Sequence, residues 1–170
     1  MPAFVYALMV HGIIGGTDVV LNHELIAKLP SQPNAGPEQQ LHCARELLFA
    51  AIFFSLAWLE WHGQFAWWIV ALFLAELVVS TRDTVIEGDT RVLPPTERVA
   101  HVFLFVNLGV VMTLLAQTLI GWHALPSALP RADYGWASWV MSAMAAGSLA
   151  WAVRDGLNLM QRARGQLTAL

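Results

Sequence analysis

An all-α polytopic bundle of five transmembrane helices is the fold that the sequence predicts, on three observations. Of 170 residues, 57% are hydrophobic and only 12% charged, about half the charge of an ordinary soluble domain. Five stretches stay apolar over the roughly 20 residues a helix needs to cross a bilayer. Prolines and glycines gather between those stretches. Eight tryptophans and eight phenylalanines leave too little polar surface for a water-facing globule, which excludes a soluble enzyme and a disordered chain. A net charge of -3 excludes a nucleic-acid partner, which needs a basic excess. The one cysteine, Cys43, excludes a disulfide framework and Cys-rich zinc or iron–sulfur sites. Residues 1–170 read as a single domain.

The first span covers 3–28 and begins AFVYALMVHGIIGG. It has no basic lead-in and no small-x-small cleavage site, so it is expected to be a retained helix and not a signal peptide. Pro30, Pro33, Gly36 and Pro37 end it and start the second, because proline suits a first helical turn and breaks an interior. The second span, 38–60, runs through LLFAAIFFSLAWL, and Trp61-His62-Gly63 forms a tight turn into the third, 64–88. Pro94-Pro95 restarts the chain as the fourth span, 96–122, with Thr96 as the expected N-cap. Pro126 and Pro130 hold the loop before the fifth, 134–164.

Basic residues orient the bundle. With five spans, Lys28, Arg45, Arg82, Arg91, Arg98, Arg154, Arg162 and Arg164 fall on the side of the C-terminus, and only Arg131 on the other. That bias predicts an outside N-terminus and a cytoplasmic C-terminus in a bacterial inner membrane. Trp58, Trp61, Trp67, Trp68, Trp122 and Trp136 gather at the opposite face as an aromatic belt.

The ionisable residues inside the spans carry the functional signal. His11, Asp18 and Asn22 are spaced seven and four, with His23 and Glu24 next to them; Glu38, His42 and Glu46 are spaced four and four. Glu76, Ser80, Asp83 and Glu87 are spaced four, three and four, and Glu97 and His101 four. Such spacings place each set on one helix face. The first and third spans end at the cytoplasmic side, where the second and fourth begin, so all four stripes meet at one depth. At 1.5 Å per residue, Glu76 lies about 17 Å inward from Glu87, and His11 about 18 Å inward from His23. Charges that deep are costly and mark a pocket or pathway in the bundle interior.

Four helices presenting carboxylates with imidazoles one turn away follow the logic of dinuclear sites inside helical bundles. The spacing here is Glu-x-x-x-His and not Glu-x-x-His, so no family is carried over. The candidate metal ligands are Glu38, His42, Glu97, His101, Glu87, His11 and His23, with Asp18, Glu46, Glu76 and Asp83 as candidate catalytic carboxylates. Arg82, Arg91 and Arg98 are expected to pair with acids or to hold a substrate headgroup. Mixed oxygen and nitrogen donors suit a dinuclear iron site, or zinc or manganese. A haem with His42 and His101 as axial ligands ranks behind these ions.

The function expected from this set is oxidation, or hydrolysis, of a membrane-soluble lipid or quinone-like substrate. Expected partners are the bilayer, that substrate, and a second copy of the chain or an electron donor. Two other readings use the same residues. One is a proton- or ion-coupled transport subunit relaying through Glu76 and His11 without stable metal. The other is a structural subunit with a cytoplasmic collar of ion pairs. His62, His123 and Glu60 read as interfacial, Glu24, Asp89 and Asp155 as solvated helix ends, and Gly12, Gly15 and Gly16 as a close packing surface.

Overall fold

The computed structural model describes residues 1–32 and 34–167, whose regular elements are all helical. Helix α1 spans Ala3–Asp18 and continues as a π-helical segment, Val19–Ile26. Helices α2 (Gly36–Trp58), α3 (Ala66–Thr90), α4 (Pro95–His123) and α5 (Trp136–Leu167) follow. Three are long and apolar enough to cross a membrane: Ala3–Ile26, Gly36–Trp58 and Pro95–His123. Helices α3 and α5 fall outside that set; α3 carries Glu76, Arg82, Asp83, Glu87 and Asp89 along its length.

Two local expectations are corrected. The first helix does not run unbroken to residue 28: it changes to π winding after Asp18, and Lys28 takes a left-handed conformation, φ 49°. Thr96 does not cap α4. The helix begins one residue earlier at Pro95, as proline at a first helical position allows, and the Thr96 hydroxyl donates to Asn22 Oδ1 at 2.7 Å.

Helix α2 is central, packed along α5 on one side and α3 on the other, while α1 packs along α4. The apolar core fills the half of the bundle away from the polar stripes. Phe4, Val5 and Leu8 meet Ile52, Phe53 and Leu56, Ile69 and Phe73, Val111 and Leu115, and Met141 there. In a bilayer such burial gains little from water exclusion, so close fit and hydrogen bonds hold the helices together. The Trp58 indole donates to Ser142 Oγ at 2.8 Å, joining α2 to α5. Asn107 donates to the Ala7 carbonyl at 3.0 Å, joining α4 to α1. At the aromatic end the two loops pair: Glu60 N–H donates to Pro130 O, His62 N–H to Ala128 O, and Ala132 N–H to Trp58 O.

Gly12 is where α1 comes closest to its neighbours. A Cβ there would stand 2.7 Å from Phe53 Cζ and 2.8 Å from Met144 Sδ. Gly12→Val is expected to cost about 1–3 kcal/mol through overpacking. The control is Gly109→Ala, whose Cβ meets nothing within 4 Å. Thermal unfolding in detergent should show a lower midpoint for the first and an unchanged one for the second.

Candidate metal centre

The polar stripes converge where the π segment and α3 end and where α2 and α4 begin. The π winding has a direct consequence there. Its i→i+5 bonds, such as Ala27 N–H to Asn22 O at 2.7 Å, bring the fifth residue onward back to the same face. His23 therefore returns to the face of Asp18, and Asp18, Asn22 and His23 are all buried. Asn22 donates to Asp18 Oδ1 at 2.7 Å and accepts from Thr96, which anchors this face to α4.

Three histidines lie at the centre. His23 Nε2 stands 3.1 Å from Glu97 Oε1 and 3.5 Å from Asp18 Oδ2. His101 Nε2 is 3.4 Å from the same Asp18 oxygen, and its Nδ1 is 3.5 Å from Glu87 Oε2. His42 Nε2 is 3.2 Å from Asp83 Oδ2 and 3.5 Å from Glu87 Oε1. The His23 and His42 rings are 4.3 Å apart between centroids. Two sets of four donors arise, each with ligand atoms mutually within 4.8 Å: His23, Glu87, Glu97 and His101, and His23, Glu38, His42 and Glu87. Bonds of about 2.0–2.2 Å to a tetrahedral ion place its donors about 3.3–3.6 Å apart, so the side chains of each set would draw in to close on one. The two sets share His23 and Glu87.

Arginines frame this centre. Arg91, just past α3, donates to both oxygens of Glu38 at 2.6–3.2 Å and to both of Glu97 at 2.5–2.7 Å. Burial by itself would lower the Arg91 pKa; the Glu97 and Glu38 carboxylates outweigh it and push it up, so the guanidinium is a fixed positive charge. Arg45 donates to Asp83 Oδ2 at 2.9 Å and lies 3.6 Å from Glu76 Oε1. Sequence reasoning left Arg45 out of the site. Its signal was the spacing, three residues after His42 and so on the same face of α2.

The remaining candidates fall in three groups. His11 is not part of the ligand sets: it stacks on Phe49 at 4.9 Å, deeper in the bundle. Glu76 is also deeper, accepting from Ser80 at 2.5 Å. Glu46 sits to one side, in the wall of a cavity of about 290 Å³. Arg82 and Arg98 point outward and are exposed, and neither makes an ion pair among the described residues. Their expected pairing is corrected: the helix turn between Arg82 and Glu87 or between Arg98 and Glu97 carries the arginine away from the acid-bearing face. Glu24 and Asp155 are not solvated ends either, because Arg154 bridges them and Gln39 donates to Asp155 at 3.5 Å. Cys43 Sγ donates to Ala152 O at 3.3 Å and takes no part in the centre.

The charge balance is uneven. Asp18, Glu38, Glu76, Asp83, Glu87 and Glu97 are each no more than 4% exposed, and among the described residues two guanidiniums, Arg45 and Arg91, touch them beside the three histidines. Six carboxylates against two guanidiniums leave a formal excess of four negative charges before the histidines are counted. His23 Nε2, His101 Nε2 and Glu87 Oε2 are buried and make no well-formed hydrogen bond; their contacts are the His–carboxylate pairs at 3.1–3.5 Å. Imidazoles and carboxylates of the types that bind divalent ions, crowded together and loosely paired, fit a metal centre. No protein-family model, no curated protein and no solved structure matches this chain, so its geometry and chemistry carry the functional argument.

Proposed function

We propose that this chain is a five-span membrane protein that binds two divalent metal ions around Glu87 and acts on a membrane-soluble substrate. One observation carries the metal reading: two donor sets share Glu87 among six buried carboxylates that contact two guanidiniums. With the imidazoles neutral, two divalent ions would balance the formal excess of four. A carboxylate with two oxygens can bridge ions about 3.5–4 Å apart. His101 and Glu97 would then serve one ion and His42 and Glu38 the other, with His23 completing either set. The carboxylate-rich donors favour iron or manganese and oxidation of the substrate; with zinc the same site would favour hydrolysis.

The protein's own groups have definable parts in this reading. Arg91 holds Glu38 and Glu97 at fixed orientation, as partners outside the ligand ring commonly do. Arg45 holds Asp83 against His42. Asp18 and Asp83 lie beside imidazole nitrogens and are placed to accept their protons.

Crossing by α3 and α5 as well, which makes five spans, is supported by their outer surfaces; an outside N-terminus in a bacterial inner membrane rests on the bias of basic residues in the sequence. Leu74, Val78 and Val85 on α3, and Trp139, Val153 and Leu157 on α5, are all more than half exposed. A water-facing protein rarely exposes apolar area on that scale.

A proton relay is the second reading, favoured by a small void of about 20 Å³ beside His11, Arg45, Glu76, Ser80 and His101. That is room for about one water. Metal analysis separates the two. Untagged protein purified in detergent should carry about two equivalents of iron, manganese or zinc by inductively coupled plasma mass spectrometry. His42→Ala and His101→Ala should each lower that content. A folded protein that stays empty after incubation with each ion contradicts the metal reading and leaves the relay.

A further inference from the structure

The cavity of about 290 Å³ adjoins the centre and is of a different character. It lies between α1, α2 and α5, with Asp18, His23 and His42 at its polar end. Phe49, Phe53, Leu104 and Met144 make its apolar wall. Ligand pockets combine an apolar lining with a few converging polar groups in this way.

Three observations say what it takes. First, its polar atoms lack partners. Trp151 Nε1, Glu46 Oε2 and His11 Nδ1 all belong to cavity-lining residues, all are buried, and none has a hydrogen-bond partner. His11 is 4% exposed. An indole N–H can only donate, and a carboxyl oxygen accepts. A hydroxyl does both, and so answers the two kinds at once. Second, Glu46 and Asp18 stand in the cavity wall, and in the metal-free protein they and the carboxylates next door disfavour an anionic head such as that of a fatty acid or a phosphate ester. Third, α1 and α5 touch over only a short stretch. The exposed residues Gly16, Val20 and Gly147 stand at that gap, so the opening is lateral, towards lipid.

We propose that this cavity binds an uncharged, membrane-soluble alcohol or phenol, admitted sideways between α1 and α5 with its hydroxyl towards the metal centre. The site rests on the membrane reading above, and on the metal reading for its role as a substrate pocket.

Glycine gives the test. A Cβ on Gly16 or Gly147 meets nothing within 4 Å, so a larger side chain there fills the cavity or its mouth without a backbone clash. The untagged full chain in lipid nanodiscs is photolabelled with 1-decanol carrying a tail diazirine, and the adducts are mapped by mass spectrometry. Label is expected on α1, α2 and α5 residues of the cavity. Excess 1-decanol should protect at least tenfold better than decane or decanoate. Gly147→Leu and Gly16→Leu should each lower cavity labelling at least tenfold, with the thermal midpoint and metal content of the parent. Label spread over the lipid-facing helices, equal protection by decane, or undiminished labelling in both variants overturns the proposal. Metal content read on the same samples keeps the two readings apart. Metal without cavity labelling overturns the pocket alone; cavity labelling in a metal-free protein supports the pocket and overturns the metal site.

Discussion

Glu87→Gln is expected to lower metal affinity at least about 100-fold, more than removal of any ligand that belongs to one set alone. Glu87 belongs to both donor sets, and loss of even an outer partner of a metal ligand commonly costs 10–100-fold. The amide keeps the shape of the side chain and removes one negative charge from a centre with an excess of four. Metal-free Glu87→Gln protein should therefore unfold at a midpoint equal to or above that of metal-free parent. The combination is diagnostic, since a merely structural residue would lose stability together with metal. Glu60→Gln is the control: Glu60 pairs with His62 at the aromatic end and should keep its metal. Metal titrations followed by mass spectrometry and by thermal unfolding read both effects. Equal metal content in Glu87→Gln and parent would contradict the shared-ligand arrangement.

Arg91→Met should have the opposite signature, a large loss of stability that metal partly restores. The substitution leaves Glu38 and Glu97, 2% and 0% exposed, without their cation. Breaking a buried pair typically costs 3–5 kcal/mol because the surviving charge is stranded. The Arg91 side chain keeps 18% exposure, which places the expected loss near the lower end, about 3 kcal/mol. For a chain of this length that is a fall of about 6–12 °C in the unfolding midpoint. Both stranded carboxylates are also metal ligands in the proposed site, so saturating divalent ion should recover part of the fall. Arg91→Lys should lose less than Arg91→Met, since an ammonium restores the charge without the two-sided fork. If the ions give the same increment to Arg91→Met as to the parent, Glu38 and Glu97 are collar residues and not ligands.

These two variants also mark how far the sequence could be read. The i, i+4 and i, i+7 spacings on four spans, with the alternation of helix direction, were enough to bring Asp18, His23, Glu38, His42, Asp83, Glu87, Glu97 and His101 to one end of one bundle. That is a consequence of helical periodicity and up-down connection, both legible without coordinates. Four features were not legible. The π segment after Asp18 has no sequence mark, yet it turns His23 onto the Asp18 face. His11 shares the stripe of Asp18, but it is two turns away along the axis, and stacking on Phe49 takes its ring out of reach of the cluster. Of the three arginines expected to pair with acids, Arg91 does so and Arg82 and Arg98 do not. Arg82 and Arg98 stand next to acids in sequence, and adjacent residues on a helix do not face each other. Arg91 follows the end of α3 and is free of that constraint, so its fork reaches Glu38 and Glu97. The lateral cavity was hidden for a different reason. It depends on α1 and α5 parting beside Gly16 and Gly147, a feature of packing between residues more than 100 positions apart.

The central claim is a pair of ions held by a shared carboxylate, and X-ray absorption on the metal-loaded protein tests it most directly. The account predicts a first shell of mixed oxygen and nitrogen at about 2.0–2.2 Å, with a metal–metal distance of about 3.5–4 Å that disappears in Glu87→Gln. A lone ion surrounded by oxygen alone, with no imidazole scattering and no second metal, would contradict it.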